Sequence, residues 1–162
     1  RYLFFPALTK AGDGLAAIES LATLCKTSLH ATAIRYTQCC REPVAVIISV
    51  GRTIDHCFMS DSFQYIEGID WLRRGMQVPR TTNTFAFNNA PENVTRGYRV
   101  EGASNLQQWF GGRRSISLSE DVIGLGTYGK TLTVLYELEL PEPEEEEEEN
   151  ELIESWTPKF RR

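Results

Sequence analysis

The chain of 162 residues has little with which to hold a metal or shuttle a proton: two histidines, His30 and His56, and four cysteines, at 25, 39, 40 and 57. No two cysteines form a CxxC pair, and a structural zinc site needs about four converging ligands. Cys39 and Cys40 are adjacent, a spacing at which a strain-free disulfide is not expected. Small secreted scaffolds use denser cysteines, so the four are read as reduced thiols of a cytoplasmic protein. There is no Ser/His/Asp or Cys/His set and no carboxylate pair at a telling spacing, hence no complete catalytic constellation. Apolar runs all fall short of the roughly 18 residues of a membrane span. The opening Arg1-Tyr-Leu-Phe-Phe-Pro6 lacks an initiator Met and the features of a signal peptide. The chain is therefore expected to begin inside a longer protein.

What is present is a near-neutral body with an acidic end. The net charge is −5, yet residues 141–162 carry nine glutamates against three bases, while residues 1–140 carry 14 bases and 13 acids. Such a body lacks the basic footprint of a protein that holds nucleic acid mainly through its phosphates. The run Pro141 to Asn150 has no core-forming residue and reads as a flexible linker within an acidic tail, 141–162. Its glutamates are candidates to cover a basic patch such as Arg73, Arg74, Arg113 and Arg114.

Leu15, Ile18, Leu21, Ala22 and Cys25 recur at helical spacing, which predicts a helix over 14–26 with Asp13 as a possible N-cap. Ser28 is placed to cap a second helix, Leu29 to about Cys39, whose buried side is expected to carry Ala31 or Ala33, Ile34 and Thr37. Val44–Val50 and Thr53–Ser60 read as a hairpin turning at Gly51-Arg52. Residues 61–80 have no clear period and are expected to form a loop with a short helix near 67–74. Thr81 to Asn88 is β-like, Asn88 to Asn93 is a turn cluster, and Tyr98–Glu101 and Gln107–Phe110 look like two arms interrupted at 102–105. Ser115–Ser119 and Leu132–Leu140 alternate as strands with one wet face. The resulting fold class is α+β: a helical segment over 1–42, a mainly antiparallel sheet domain over 43–140, and the tail.

Gly124-Leu-Gly126-Thr-Tyr-Gly129-Lys130-Thr131 fits both GxGxxG and GxxxxGK[ST]. A phosphate loop requires a helix starting at the lysine, whereas Thr131 to Leu140 alternates with period two. The glycines are therefore expected in a hairpin between antiparallel strands, which ranks a nucleotide-binding protein using Gly124–Thr131 below the other readings. The helix pair also has the outline of a helix-turn-helix. In that reading Lys26, Ser28, His30, Arg35 and Gln38 are the DNA- or partner-facing candidates, and a DNA-binding regulator is the alternative function.

Taken as one phrase, Leu15-Ala-Ala-Ile-Glu-Ser-Leu-Ala22-Thr-Leu-Cys-Lys-Thr-Ser28-Leu-His-Ala31-Thr-Ala-Ile-Arg35-Tyr, followed by Pro43-Val-Ala-Val-Ile-Ile-Ser, resembles the region C-terminal to the peptidase core in the ImmA/IrrE family of zinc metallopeptidases. Tyr2-Leu-Phe-Phe-Pro6 is similar to the segment after that family's last zinc ligand, and Trp156 to Arg162 to some of its endings. The resemblance implies a GAF-like sensor domain after the helix pair. It further implies an upstream peptidase domain in the same parent protein, which would hold the zinc, and cleavage of XRE-type helix-turn-helix repressors. HExxH occurs nowhere in the 162 residues, so this chain is expected to be the non-catalytic regulatory portion with no cofactor of its own. A small-molecule signal is expected to sit between sheet and helix near Phe58, Trp71, Phe85 and Phe87. Nucleic acid is a weaker candidate partner, and no membrane association is expected.

Overall fold

The structure is a computed structural model and describes residues 4–8 and 12–140. Short α1 (Phe4–Leu8) is followed by α2 (Gly14–Cys25) and α3 (Leu29–Cys39), the hairpin β1 (Ala45–Val50) and β2 (Thr53–Met59), and α4 (Asp61–Gln64). Next come α5 (Asn83–Asn88), α6 (Pro91–Thr95), β3 (Arg99–Asn105), α7 (Leu106–Phe110), β4 (Ser117–Gly124) and β5 (Thr131–Tyr136). The fold is α+β, with the helical pair preceding one antiparallel sheet of order β2-β1-β5-β4-β3.

Both early helices form where the apolar period places them. Ser28 caps α3 by accepting the Ala31 N–H at 3.1 Å, and Lys26 takes the left-handed conformation (φ 52°) that ends α2. Leu15, Ile18 and Leu21 of α2, with Ala33 and Tyr36 of α3, pack on Val46, Ile48, Leu132 and Val134, so the helical pair shares one core with the sheet. The buried side of α3 is Thr32, Ala33, Tyr36 and Thr37; Ala31 is exposed. On the opposite face, Phe63, Leu106, Trp109 and Phe110 cover Ala45, Ile47 and Leu135.

Helices on both faces make β5 the central strand of a three-layer structure. Thr131 and Thr133 are therefore fully buried, and the expectation of a wet face on this strand is corrected. Thr133 shares a 2.7 Å hydrogen bond with Thr84, and Thr131 donates to Asn88 Oδ1 at 2.6 Å. Those two partners belong to α5, which overturns the β-like reading of 81–88. The physical reason is a doubly held helix N-terminus: Thr82 caps it locally by accepting the Phe85 N–H at 3.3 Å, and Glu120, fully buried on β4, accepts the Thr84 N–H at 2.8 Å and the Thr84 hydroxyl at 2.7 Å.

Four further expectations are corrected. Residues 67–74 form no helix; just after them residues 75–78 edge β2, with Ile54 N–H donating to the Met76 carbonyl and Gly75 N–H to that of Ile54, both at 2.8 Å. The supposed break at 102–105 is continuous strand, paired with β4 from Arg99↔Ile123 to Asn105↔Ser117. Gln107–Phe110 is helical, started by a capping box between Asn105 and Gln108, and the turn cluster before it contains α6, which opens on Pro91. The linker and tail assigned to 141–162 lie outside the described residues.

The glycine-rich segment is a hairpin, as the alternation required. Gly124 pairs with Thr131, Leu125 N–H donates to the Lys130 carbonyl at 2.9 Å, and a 3-10 turn spans Gly126–Tyr128. Gly126 and Gly129 supply φ of 67° and 65°. Gly124 is needed for closeness: a Cβ there would stand 2.5 Å from the Asn93 carbonyl oxygen and 2.6 Å from Val94 Cα.

Candidate functional site

Asp121, the neighbour of Glu120, faces the other side of the sheet, as strand alternation demands. It is buried and accepts the Leu15 N–H at 3.2 Å, at the start of α2. The Tyr136 hydroxyl donates to the same carboxylate. Two adjacent acids on one strand thus each anchor the N-terminus of a helix, one on each face. Asp13 occupies the N-cap position of α2, yet its side chain makes no capping hydrogen bond; Asp121 has taken that duty from across the chain. A side chain at Gly14 would strike the Tyr136 ring, so the helix end and the ring are in direct contact.

Around Asp121 and Tyr136 lies the largest convergence of perturbed groups among the described residues. One cavity of about 420 Å³ is lined by Asp13, Tyr36, Glu42, Pro43, Val44, Tyr136, Glu137, Leu138 and Leu140. A second, of about 700 Å³, shares Asp13, Tyr36 and Glu42 with it and adds Leu8, Gly12, Cys39, Cys40 and Arg41. Together they form a groove between the start of α2, the end of α3 and the ends of β1 and β5. Burial raises Tyr36, with the Cys40 thiol adding to the shift, and burial followed by the Asp121 hydrogen bond raises Tyr136. Burial likewise raises Asp121 and Cys40, in each case against the hydrogen bond of a tyrosine. Clusters of shifted groups in a cleft are a physical marker of functional sites.

On balance the groove is acidic, with Asp13, Glu42 and Glu137 against the single base Arg41. Asp13, Glu42 and Glu137 have no ion-pair partner among the described residues, and the carboxyl end of α3 adds the negative pole of its dipole. Glu137 adopts φ 50°, an uncommon conformation for a residue with a side chain, and accepts the Ser119 hydroxyl at 2.8 Å. Cys40, raised and bonded to Tyr36, is not a thiolate nucleophile at neutral pH. The arrangement offers acceptors and aromatic rings, which is the chemistry that receives an ammonium or guanidinium group.

No family model matches the chain. A search of curated proteins also finds no match.

The residues singled out in the sequence lie elsewhere. Ser28 and His30 line a separate cavity of about 330 Å³ with Leu29, Leu125, Tyr128 and Lys130. His30 is half-buried, its Nε2 has no hydrogen-bond partner among the described residues, and burial followed by Lys130 lowers its pKa. Lys130 does not face a phosphate cradle; its Nζ lies 3.1 Å from Asp55, which also meets Arg74 at 3.2 Å and His56 at 3.2 Å. Lys26 is exposed at the helix turn, and Arg35 bonds Gln38 at 3.3 Å on the outer side of α3. Phe58 packs with the α2/α3 core, Phe85 with the opposite core, and Phe87 with Val94 and Val122, so these three do not come together. Trp71 is 56% exposed. Cys57 is pushed up to about 12 by burial. None of the four cysteines is paired, and no group of three or more His, Cys, Asp or Glu that could hold a metal is found among the described residues. No described helix is long and apolar enough to cross a membrane.

The groove is not legible in the sequence because its members are scattered along the chain and each has an ordinary local reading. The available signal was Glu120-Asp121, two adjacent acids preceding the apolar Val122-Ile123 of a strand. Such acids need buried partners.

Proposed function

We propose that this chain is a non-catalytic binding module whose acidic groove receives a Lys or Arg side chain of a protein partner. The observation that carries this reading is the convergence of Asp13, Glu42 and Glu137, without ion-pair partners among the described residues, on Tyr36 and Tyr136. Leu140 lines the groove and is followed in sequence by seven glutamates within residues 142–149, a charge that steers a basic partner to this end of the molecule.

The resemblance to the ImmA/IrrE family supports a more specific form. The partner is then an XRE-type repressor, whose DNA-binding surface is basic, and this chain is the GAF-like regulatory portion of a cytoplasmic peptidase whose zinc is held by another domain. The cavity at His30 is the place for a small-molecule signal in that form. A parent polypeptide without an HExxH-bearing domain would remove the specific form and leave the groove reading intact.

The test is an NMR titration of the full chain with a capped Gly-Arg-Gly tripeptide, and with Gly-Glu-Gly as control. The arginine peptide is expected to shift the Tyr36 and Tyr136 ring signals, less so at high salt, and to lose that effect in Asp13→Asn/Glu42→Gln. Shifts confined to the glutamates beyond Leu140 would sink the proposal. Salt-dependent duplex binding abolished by Arg35→Ala would replace it with the DNA-binding reading.

A further inference from the structure

β3 is an edge strand, with β4 on one side and no strand on the other among the described residues. Gly124 N–H donates to the Tyr98 carbonyl at 3.0 Å and Leu106 N–H to that of Ile116 at 2.8 Å. Even-numbered residues from 98 to 106 therefore turn their peptide groups toward β4, while Arg99, Glu101 and Ala103 turn theirs outward; the Ala103 carbonyl already accepts the Asn83 side-chain amide at 3.0 Å, so Arg99 and Glu101 are the positions on which a further strand would pair. Natural sheet edges are blunted by proline, lysine or a bulge. β3 contains neither residue, and its register with β4 runs unbroken. Tyr98 and Val100 stand 47% and 41% exposed on this rim.

We propose that β3 pairs with β3 of a second copy of this chain, antiparallel about a two-fold axis at Val100. This register places Arg99 opposite Glu101 of the second copy, and Glu101 opposite its Arg99. Both residues face outward, so each pair exchanges two ladder hydrogen bonds and sets a guanidinium beside a carboxylate. Within one copy Arg99 already lies 2.8 Å from Glu19 of α2 and 2.9 Å from Glu101, so the Arg99 and Glu101 charges of the two copies alternate around the axis with a Glu19 flanking each guanidinium. Val100 meets its own symmetry mate at a non-hydrogen-bonded position, where side chains approach most closely. Moving the axis one residue either way puts Arg99 on Arg99 or Glu101 on Glu101, and like charges directly opposite are destabilising. The charge pattern thus selects both the partner and the register.

Sedimentation of the full chain across a concentration series tests this. The parent is expected to dimerise. Glu101→Pro, which deletes an outward N–H without touching the β3–β4 ladder, is expected to be monomeric. Glu101→Arg is expected to weaken the dimer about tenfold, and Arg99→Glu/Glu101→Arg to restore it. Under mild oxidation Val100→Cys is expected to form a covalent dimer that the parent does not. A parent that stays monomeric throughout would overturn the proposal, whether the edge is then bare or covered by the chain's own C-terminal residues. A dimer indifferent to Glu101→Pro and Glu101→Arg would overturn it equally. So would a charge swap that fails to restore association while circular dichroism stays native.

Discussion

Replacing Glu120 tests the claim that a buried carboxylate, rather than local propensity, makes 83–88 a helix. Its side chain is fully buried and accepts two short hydrogen bonds from Thr84, at 2.8 Å and 2.7 Å, and two at 3.4 Å from Asn83. A hydrogen bond to a charged group contributes about 1.5–3 kcal/mol, so the two short bonds represent about 3–6 kcal/mol gross. Two effects reduce that figure. The Thr84 hydroxyl keeps its contact with Thr133, and deleting the carboxylate recovers part of its desolvation cost. The expected loss for Glu120→Ala is about 2–4 kcal/mol, a large share of the roughly 5–15 kcal/mol that stabilises a domain. Glu120→Gln keeps one carbonyl oxygen for Thr84 but turns an amide toward the donors of Asn83, for about 1–2 kcal/mol. Urea denaturation measures both, and hydrogen exchange at the Thr84 amide reports the helix directly. An Ala variant within about 0.5 kcal/mol of the parent, the range of an ordinary surface change, with Thr84 still protected, would refute the assignment.

Three other outcomes follow from the same geometry. Tyr136→Phe removes the hydroxyl that serves buried Asp121 and is expected to cost about 1–3 kcal/mol by denaturation; a neutral effect would mean that Asp121 is satisfied without it. Gly124→Ala forces a Cβ into the backbone of α6 and is expected to cost about 1–3 kcal/mol, more than Gly129→Ala, where only the φ of 65° is strained; the reverse order would contradict the packing of α6 on the hairpin. His30 has a folded-state pKa below its ordinary 6.5, so below that pH the unfolded chain binds a proton that the folded chain refuses. Stability should fall as pH drops from 6.5 through the folded value, and His30→Gln should flatten that part of the profile; an unchanged slope would count against a neutral, half-buried imidazole.

The elements legible in the sequence are those whose partners are close along the chain. Leu15, Ile18 and Leu21 repeat at helical spacing, Ser28 caps its own helix, and β1 and β2 meet across a two-residue turn. The alternation after Lys130 was enough to reject a phosphate loop. α5 is hard to read because Thr84, Phe85 and Phe87 favour strands locally and the only local helix signal is the Thr82 N-cap, while the carboxylate that completes the helix start sits on β4, 36 residues from Thr84. β3 looked interrupted at Gly102 because a missing side chain reads as a break; in the structure a Cβ there would stand 2.6 Å from the Asn83 amide nitrogen. The groove depends on the strand order, which brings the end of β5 beside the start of β1 and beneath α2. No local pattern at Asp13, Tyr36, Glu42 or Tyr136 encodes that meeting.

The most direct test of the central claim is the response of the Tyr36 and Tyr136 ring resonances to the capped arginine tripeptide. Saturable shifts of both rings are expected, weakened by salt and absent in Asp13→Asn/Glu42→Gln. Rings that stay silent while only glutamate signals beyond Leu140 move would contradict that claim.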